Sequence, residues 1–205
     1  MDKRIKRTHD AIKTTFEELV LEDSGKKITV SLLAQRANIN RKTFYLHYDD
    51  IEDLKNSYVD EISGNLINAL AKHSISNYIA NRGLLLDIFA NFFIDNRQFY
   101  SFVLTNDNYS SIARLVQRKV SATMANYLQK YSHCSKNDAI MITTFITTNM
   151  ITMLQLHLTG VTDSSRKNTR EWIVCLTIEG LQGLGFEIPK NNWHSPTPFS
   201  PAKKG

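Results

Sequence analysis

"NINRKTFYLHYDD", residues 38–50, holds Arg41, Lys42, Thr43, Tyr45 and His47 within seven positions, with Phe44 and Tyr48 four apart among them. A four-residue spacing puts those two rings on one helix face and leaves most of the donors on the others. Working back from this stretch, "VSLLAQRA" (30–37) reads as a short helix, with Thr29 placed to cap its free backbone N–H groups. Asn38 suits a left-handed turn, because asparagine tolerates positive φ better than most residues. Asn40 suits the next N-cap, opening a helix over 41–48. Two short helices joined by a three- or four-residue turn form a helix-turn-helix. Leu33, Ala34, Ala37, Ile39 and Phe44 have the spacing of one small core. Helices this short bury little surface alone, so the unit should lean on the longer helix that follows "DD" at 49–50.

In a helix-turn-helix the second helix enters the DNA major groove, and its N-terminal residues reach base edges. Arg41 and Lys42 suit guanine O6/N7, and Thr43 suits a base edge or a thymine methyl. Tyr45 and His47 come later, where donors more often hold phosphates. Thr29, at a helix N-terminus, also suits a phosphate. With Ser31, Asn40, Lys3 and Arg4, these residues make the candidate DNA-facing set. The plain alternative is a solvated surface helix and a solvated basic end. For Tyr45 it is a half-buried core position, and for His47 a satisfied surface or core residue.

Charge leans toward the DNA-facing reading. The net charge is +5, and residues 1–48 hold ten Lys/Arg against six Asp/Glu. The excess therefore sits almost wholly in the first quarter, which suggests an acidic partner at that end. The two cysteines, Cys134 and Cys175, have no metal-ligand spacing and make no disulfide scaffold, so a reducing, cytoplasmic setting is expected. The basic start lacks the apolar run of a signal peptide. No nucleophile–base pair, glycine-rich phosphate loop or metal motif stands out, so neither an enzyme nor a cofactor is expected. A helical enzyme or carrier with a basic N-terminus is the rival class.

The whole chain reads as helix, in two domains and a tail. All four prolines lie at or beyond residue 189, so no proline interrupts the body. Residues 4–23 put Ile5, Ile12, Phe16, Leu19 and Val20 on one face, and Gly25 follows as a C-terminal cap. Ile51, Leu54, Tyr58, Ile62, Leu66 and Leu70 give 50–72 a continuous apolar stripe. Further helices are predicted over 82–96, 97–105, 109–132, 137–160 and 165–186, about nine in all. The expected division is 1–49, 50–187 and a flexible tail over 188–205.

Residues 139–162 contain no Asp, Glu, Lys or Arg, a length that reaches across a bilayer. Seven threonines with Asn149, Gln155 and His157 make that stretch too polar for a spanning helix. The expectation is a helix buried in protein or between subunits, with no membrane. The aromatic run that includes Phe89, Phe93 and Tyr100 reads first as core. With Phe145, Asn149, Met153 and His157, it is also the candidate lining of a small-molecule pocket. For Asn149 and His157, bonding across a subunit interface remains the other reading.

Residues 28–54 resemble the N-terminal signature of the TetR/AcrR family of bacterial transcription regulators. The resemblance rests on Thr29, "LAQRANI" (33–39), "TFYLHY" (43–48) and Leu54. It departs at the turn, where Ala37-Asn38-Ile39-Asn40 replaces Ala-Gly-Val-Ser. It departs again at Ile51, where the family often has a phosphate-contacting lysine. The resemblance implies an all-α homodimer: an N-terminal three-helix DNA-binding domain and a larger helical dimerisation and effector domain. It implies a sequence-specific regulator bound to a double-stranded DNA operator, most often a repressor released by a small-molecule ligand. A regulator of the same fold that activates, or whose body binds a protein partner, is the alternative. The helices near 137–160 and 165–186 are the expected dimer interface.

Overall fold

The computed structural model describes residues 3–22, 27–81, 83–95, 98–131, 134–161 and 166–183. Gly25 and the predicted tail over 188–205 lie outside them. The fold is all-α, and among the described residues there is no strand. In chain order the helices are α1 (Lys3–Leu21), α2 (Val30–Arg36), α3 (Arg41–Tyr45), α4 (Ile51–Ala71) and α5 (Ile75–Ala80). They continue with α6 (Leu84–Asp95), α7 (Gln98–Thr105), α8 (Ser110–Tyr131), α9 (Lys136–Leu158) and α10 (Arg166–Gly183), and a single 3₁₀ turn (Asp107–Tyr109) precedes α8. The short α5 was not anticipated. Ser74 caps it, accepting from the Asn77 N–H at 3.2 Å. The chain forms two compact units, Met1–Gly64 with Arg97–Val116, and Asn65–Asn96 with Gln117–Gly205.

In the first unit α1 packs on α2 and α7, and α2 packs on α3. Ile12, Phe16, Leu19 and Val20 turn inward as their spacing requires, whereas Ile5, on the same predicted stripe, is 50% exposed near the helix start. Phe16 stacks on Tyr58 with 5.4 Å between ring centroids, and Phe99 lies 4.9 Å from Tyr58. Three rings from α1, α4 and α7 thus form one buried cluster, and each contributes about 2–3 kcal/mol of apolar burial. Polar groups close the same junction. Tyr58 donates to the Lys13 carbonyl at 2.9 Å, and the Glu17 carboxylate lies 3.2 Å from its hydroxyl. Burial and then Glu17 push the Tyr58 hydroxyl far up, so it stays a donor. The Lys13 ammonium sits 4.2 Å from the Tyr58 ring centroid and pairs with Glu61. Tyr100 donates to the other Glu61 oxygen at 3.0 Å.

In the second unit α6 packs on α5, α9 and α10, and α9 packs on α10. Phe89, Phe92, Phe93, Met150 and Leu154 are buried there. By length and composition alone, α9 is apolar enough to cross a membrane. Four of its threonines, however, have protein partners. Thr143 Oγ1 lies 2.8 Å from the Ala139 carbonyl and 3.1 Å from the Ser121 carbonyl of α8. Thr144 shares a 3.0 Å hydroxyl bond with Ser121, and Gln117 donates to Thr148 at 2.8 Å. Back-bonding to the preceding turn satisfies such hydroxyls inside a helix. The helix is not buried all round, however. Met141 is 71% exposed and Phe145 62% exposed.

Candidate nucleic-acid interface

The α2–α3 unit is built by two capping side chains and one left-handed residue. Thr29 caps α2, its hydroxyl accepting from the Leu32 N–H at 3.2 Å. At the other end Asn38 has φ 51°, the sole positive φ at a non-glycine residue among those described. The Asn38 N–H donates to the Gln35 carbonyl and the Ile39 N–H to the Ala34 carbonyl, at 3.2 and 3.0 Å. This pair of bonds is the Schellman closure, which needs a left-handed residue at the position Asn38 holds. Two residues later the Asn40 side chain accepts from the Lys42 N–H at 2.9 Å and starts α3.

The predicted helix over 41–48 is shorter in the structure. It is α-helical over 41–45, and Leu46 and His47 continue as a turn. The His47 and Tyr48 N–H groups both donate to the Phe44 carbonyl, at 2.9 and 3.0 Å. Asp50 then caps α4 by accepting from the Asp53 N–H at 2.8 Å, and the Asp53 carboxylate accepts from the Asp49 N–H at 3.0 Å. The acidic turn therefore caps α4, immediately before Ile51, where the resemblance implies a lysine.

These constraints fix which side chains face out. Phe44 is fully buried and Tyr48 nearly so. Arg41 and Lys42 are exposed, Tyr45 is 48% exposed, and Thr43 and His47 are half-buried. Neither Arg41 nor Lys42 has an ion-pair partner among the described residues, whereas Arg36 on α2 pairs with Glu22. Thr29, Ser31 and Asn40 are exposed, though Thr29 and Asn40 already spend a side-chain oxygen on capping. Lys3 and Arg4 are exposed in the first turn of α1.

Two members of this surface escaped sequence reasoning. His9 on α1 stacks on Tyr48 at 5.9 Å and lies 6.2 Å from His47. Burial and then His9 lower the His47 pKa. Nothing local in the sequence signals that contact, since 38 residues separate the two histidines. Lys6, one turn before His9, shares its side of α1. The second is Leu46, 84% exposed. It stands four residues after Lys42, and that spacing was the available signal.

The proposed pocket residues fall in both units. Phe89 and Phe93 are buried in the second unit, with Asn149, Met153 and His157 half-buried on α9. Phe145 faces out at 62% exposure, and Tyr100 belongs to the first unit, bonded to Glu61.

A surface with fixed positive charge, several outward donors and a rigid capped turn suits an anionic, acceptor-rich partner. No family model matches the chain. A 78-residue stretch is 31% identical to an uncharacterized HTH-type transcriptional regulator, YxbF, of Bacillus subtilis (strain 168). That stretch is 38% of this chain, and the chain spans about a fifth of the length of the curated relative it matches. The chain is thus similar, over part of its length, to a transcriptional regulator.

Proposed function

We propose that the chain is a sequence-specific DNA-binding transcriptional regulator of the TetR type, with no enzymatic activity, acting in the cytoplasm. The observation that carries this reading is the α2–α3 unit. Its Asn38 turn and Asn40 cap hold Arg41, Lys42 and Tyr45 on one outward face. The partial similarity to a transcriptional regulator supports it. Residues 1–49 are the DNA-binding domain and 50–187 the dimerisation and effector domain.

The active form is a homodimer joined through α9 and α10, whose exposed Met141, Phe145 and Leu176 are apolar. A small molecule bound in the body releases the operator by favouring a half-site spacing that DNA cannot match. Activation, or a protein partner in place of the small molecule, is the alternative, and a reporter assay with the gene deleted separates the two directions.

DNA fragments selected by the purified chain test the proposal. Binding should fall steeply with salt, because phosphate neutralisation releases counterions. A folded chain that binds no DNA at low salt excludes it. Phe145→Glu should convert dimer to monomer in sedimentation. An unchanged mass would exclude α9 as the interface.

A further inference from the structure

Leu46 raises a question that its neighbours do not. A single exposed leucine is ordinary on a protein surface. This one is 84% exposed, the most open of the large apolar side chains described, and it stands in the middle of a face built of donors. It keeps right-handed helical backbone (φ −78°, ψ −13°), and its N–H bonds the Thr43 carbonyl at 3.3 Å. Helical spacing therefore places Leu46 one turn beyond Lys42 and beside Tyr45, on the outward side of Phe44. Phe44 and Tyr48 fill the inward side, so Leu46 has no place in the core. It also has no donor for a phosphate oxygen.

One apolar group on a major-groove edge matches such a side chain, the C5-methyl of thymine. The charge of Arg41 and Lys42 around it selects a polyanion, rather than an apolar protein face, as the occupant. We propose that Leu46 is a specificity-determining residue that packs on a thymine methyl in each half-site. This rests on the DNA-binding proposal above and adds a base preference to it.

The test uses the full chain and the DNA it selects. Each thymine is replaced in turn by deoxyuridine, which removes the methyl and nothing else. At one thymine of each half-site the chain should bind about fourfold more weakly, the value expected for one methyl group kept out of water. Leu46→Ala should bind the thymine and uracil forms of that site equally, at the affinity the unaltered chain shows for uracil. Leu46→Met, which keeps the apolar reach, should restore part of the difference. Leu46 is solvent-exposed, and matching thermal melts establish that the variants fold. Indifference of the unaltered chain to every uracil overturns the assignment while DNA binding stands. So does a Leu46→Ala variant that keeps the full uracil penalty, or one that changes oligomeric state without changing base preference. A chain that selects no DNA overturns the DNA-binding reading itself, and this one with it.

Discussion

The imidazole of His9 lies 6.2 Å from that of His47, so α1 and the end of α3 meet through two titratable rings. Tyr48 flanks both rings, and the Asp10 carboxylate is 3.6 Å from His9 Nδ1. Burial, and then His9, hold the His47 pKa below its ordinary value of 6.5. An unfolded chain takes up that proton near the ordinary value, and the folded chain only at lower pH. Between those two points the unfolded state binds more protons, so stability is whole above about pH 6.5 and falls as the pH drops below it. Thermal melts from pH 7.5 to 5 should show this fall, and His47→Gln should flatten it. A His47→Gln profile that matches the unaltered chain excludes the contribution.

DNA affinity should carry the opposite sign. A phosphate near His47 favours the charged ring, so the complex takes up a proton. Affinity for selected DNA should rise as pH falls from 7.5 to 6, by at most about tenfold per unit for one proton. His47→Gln should remove the dependence. Titrations of both proteins across that range measure it. An affinity independent of pH in the unaltered chain takes His47 out of the contact set.

Tyr45→Phe and the two basic variants should separate into roles. Loss of the Tyr45 hydroxyl should weaken binding to all sequences by a similar factor, about 3- to 10-fold for one hydrogen bond. Arg41→Ala and Lys42→Ala should instead change the preferred sequence, with about 1–3 kcal/mol lost at one base position. Selection experiments on each variant report the outcome. The reverse pattern would exchange the assignments.

Asn38 sits at φ 51°. Asn38→Ala should destabilise the chain by about 1–2 kcal/mol, because a Cβ without a local hydrogen bond strains the left-handed region. Asn38→Gly should cost little. Denaturant melts distinguish the two, and equal losses would mean that the side chain, rather than the backbone, sets the turn.

Lys13 joins α1 to α4 through Glu61, which Tyr100 on α7 also bonds. Lys13→Met keeps most of the stem over the Tyr58 ring and deletes the charge, leaving the half-buried Glu61 with less compensation. A loss of about 1–3 kcal/mol is expected. Adding Glu61→Gln should recover part of it, and a double-mutant cycle measures the coupling. Strict additivity would mean that the pair contributes nothing.

Legibility in the sequence followed locality. The Thr29 cap, the Asn38 turn and the Asn40 cap depend on residues within five positions of one another, and all three were readable. The end of α3 was not, because Asp50 and Asp53 claim the chain for α4 and leave Leu46 and His47 in a turn. The aromatic run from Phe89 to Phe102 looked like one cluster along the chain. Tertiary packing divides it, sending Phe99 to Phe16 and Tyr58 in the first unit and Phe89 to the second. The uncharged stretch of α9 from residue 139 hid its exposed face because Met141 and Phe145 resemble the residues opposite them. A helix apolar on both sides has no periodicity to read.

The acidic cap of α4 has an electrical consequence. Asp49, Asp50, Glu52 and Asp53 follow within a dozen residues of Arg41 and Lys42, and two of those carboxylates are tied to backbone N–H groups at the helix start. The corner from α3 to α4 therefore sets basic side chains ahead of acidic ones, and two of the acidic groups are fixed by the start of α4 itself. For the nucleic acid proposed as partner, that arrangement would favour an approach with its charge along α3 and away from the start of α4. Neutralising Asp50 would loosen the helix and blunt that alignment together, so the two properties cannot be tuned separately at this position.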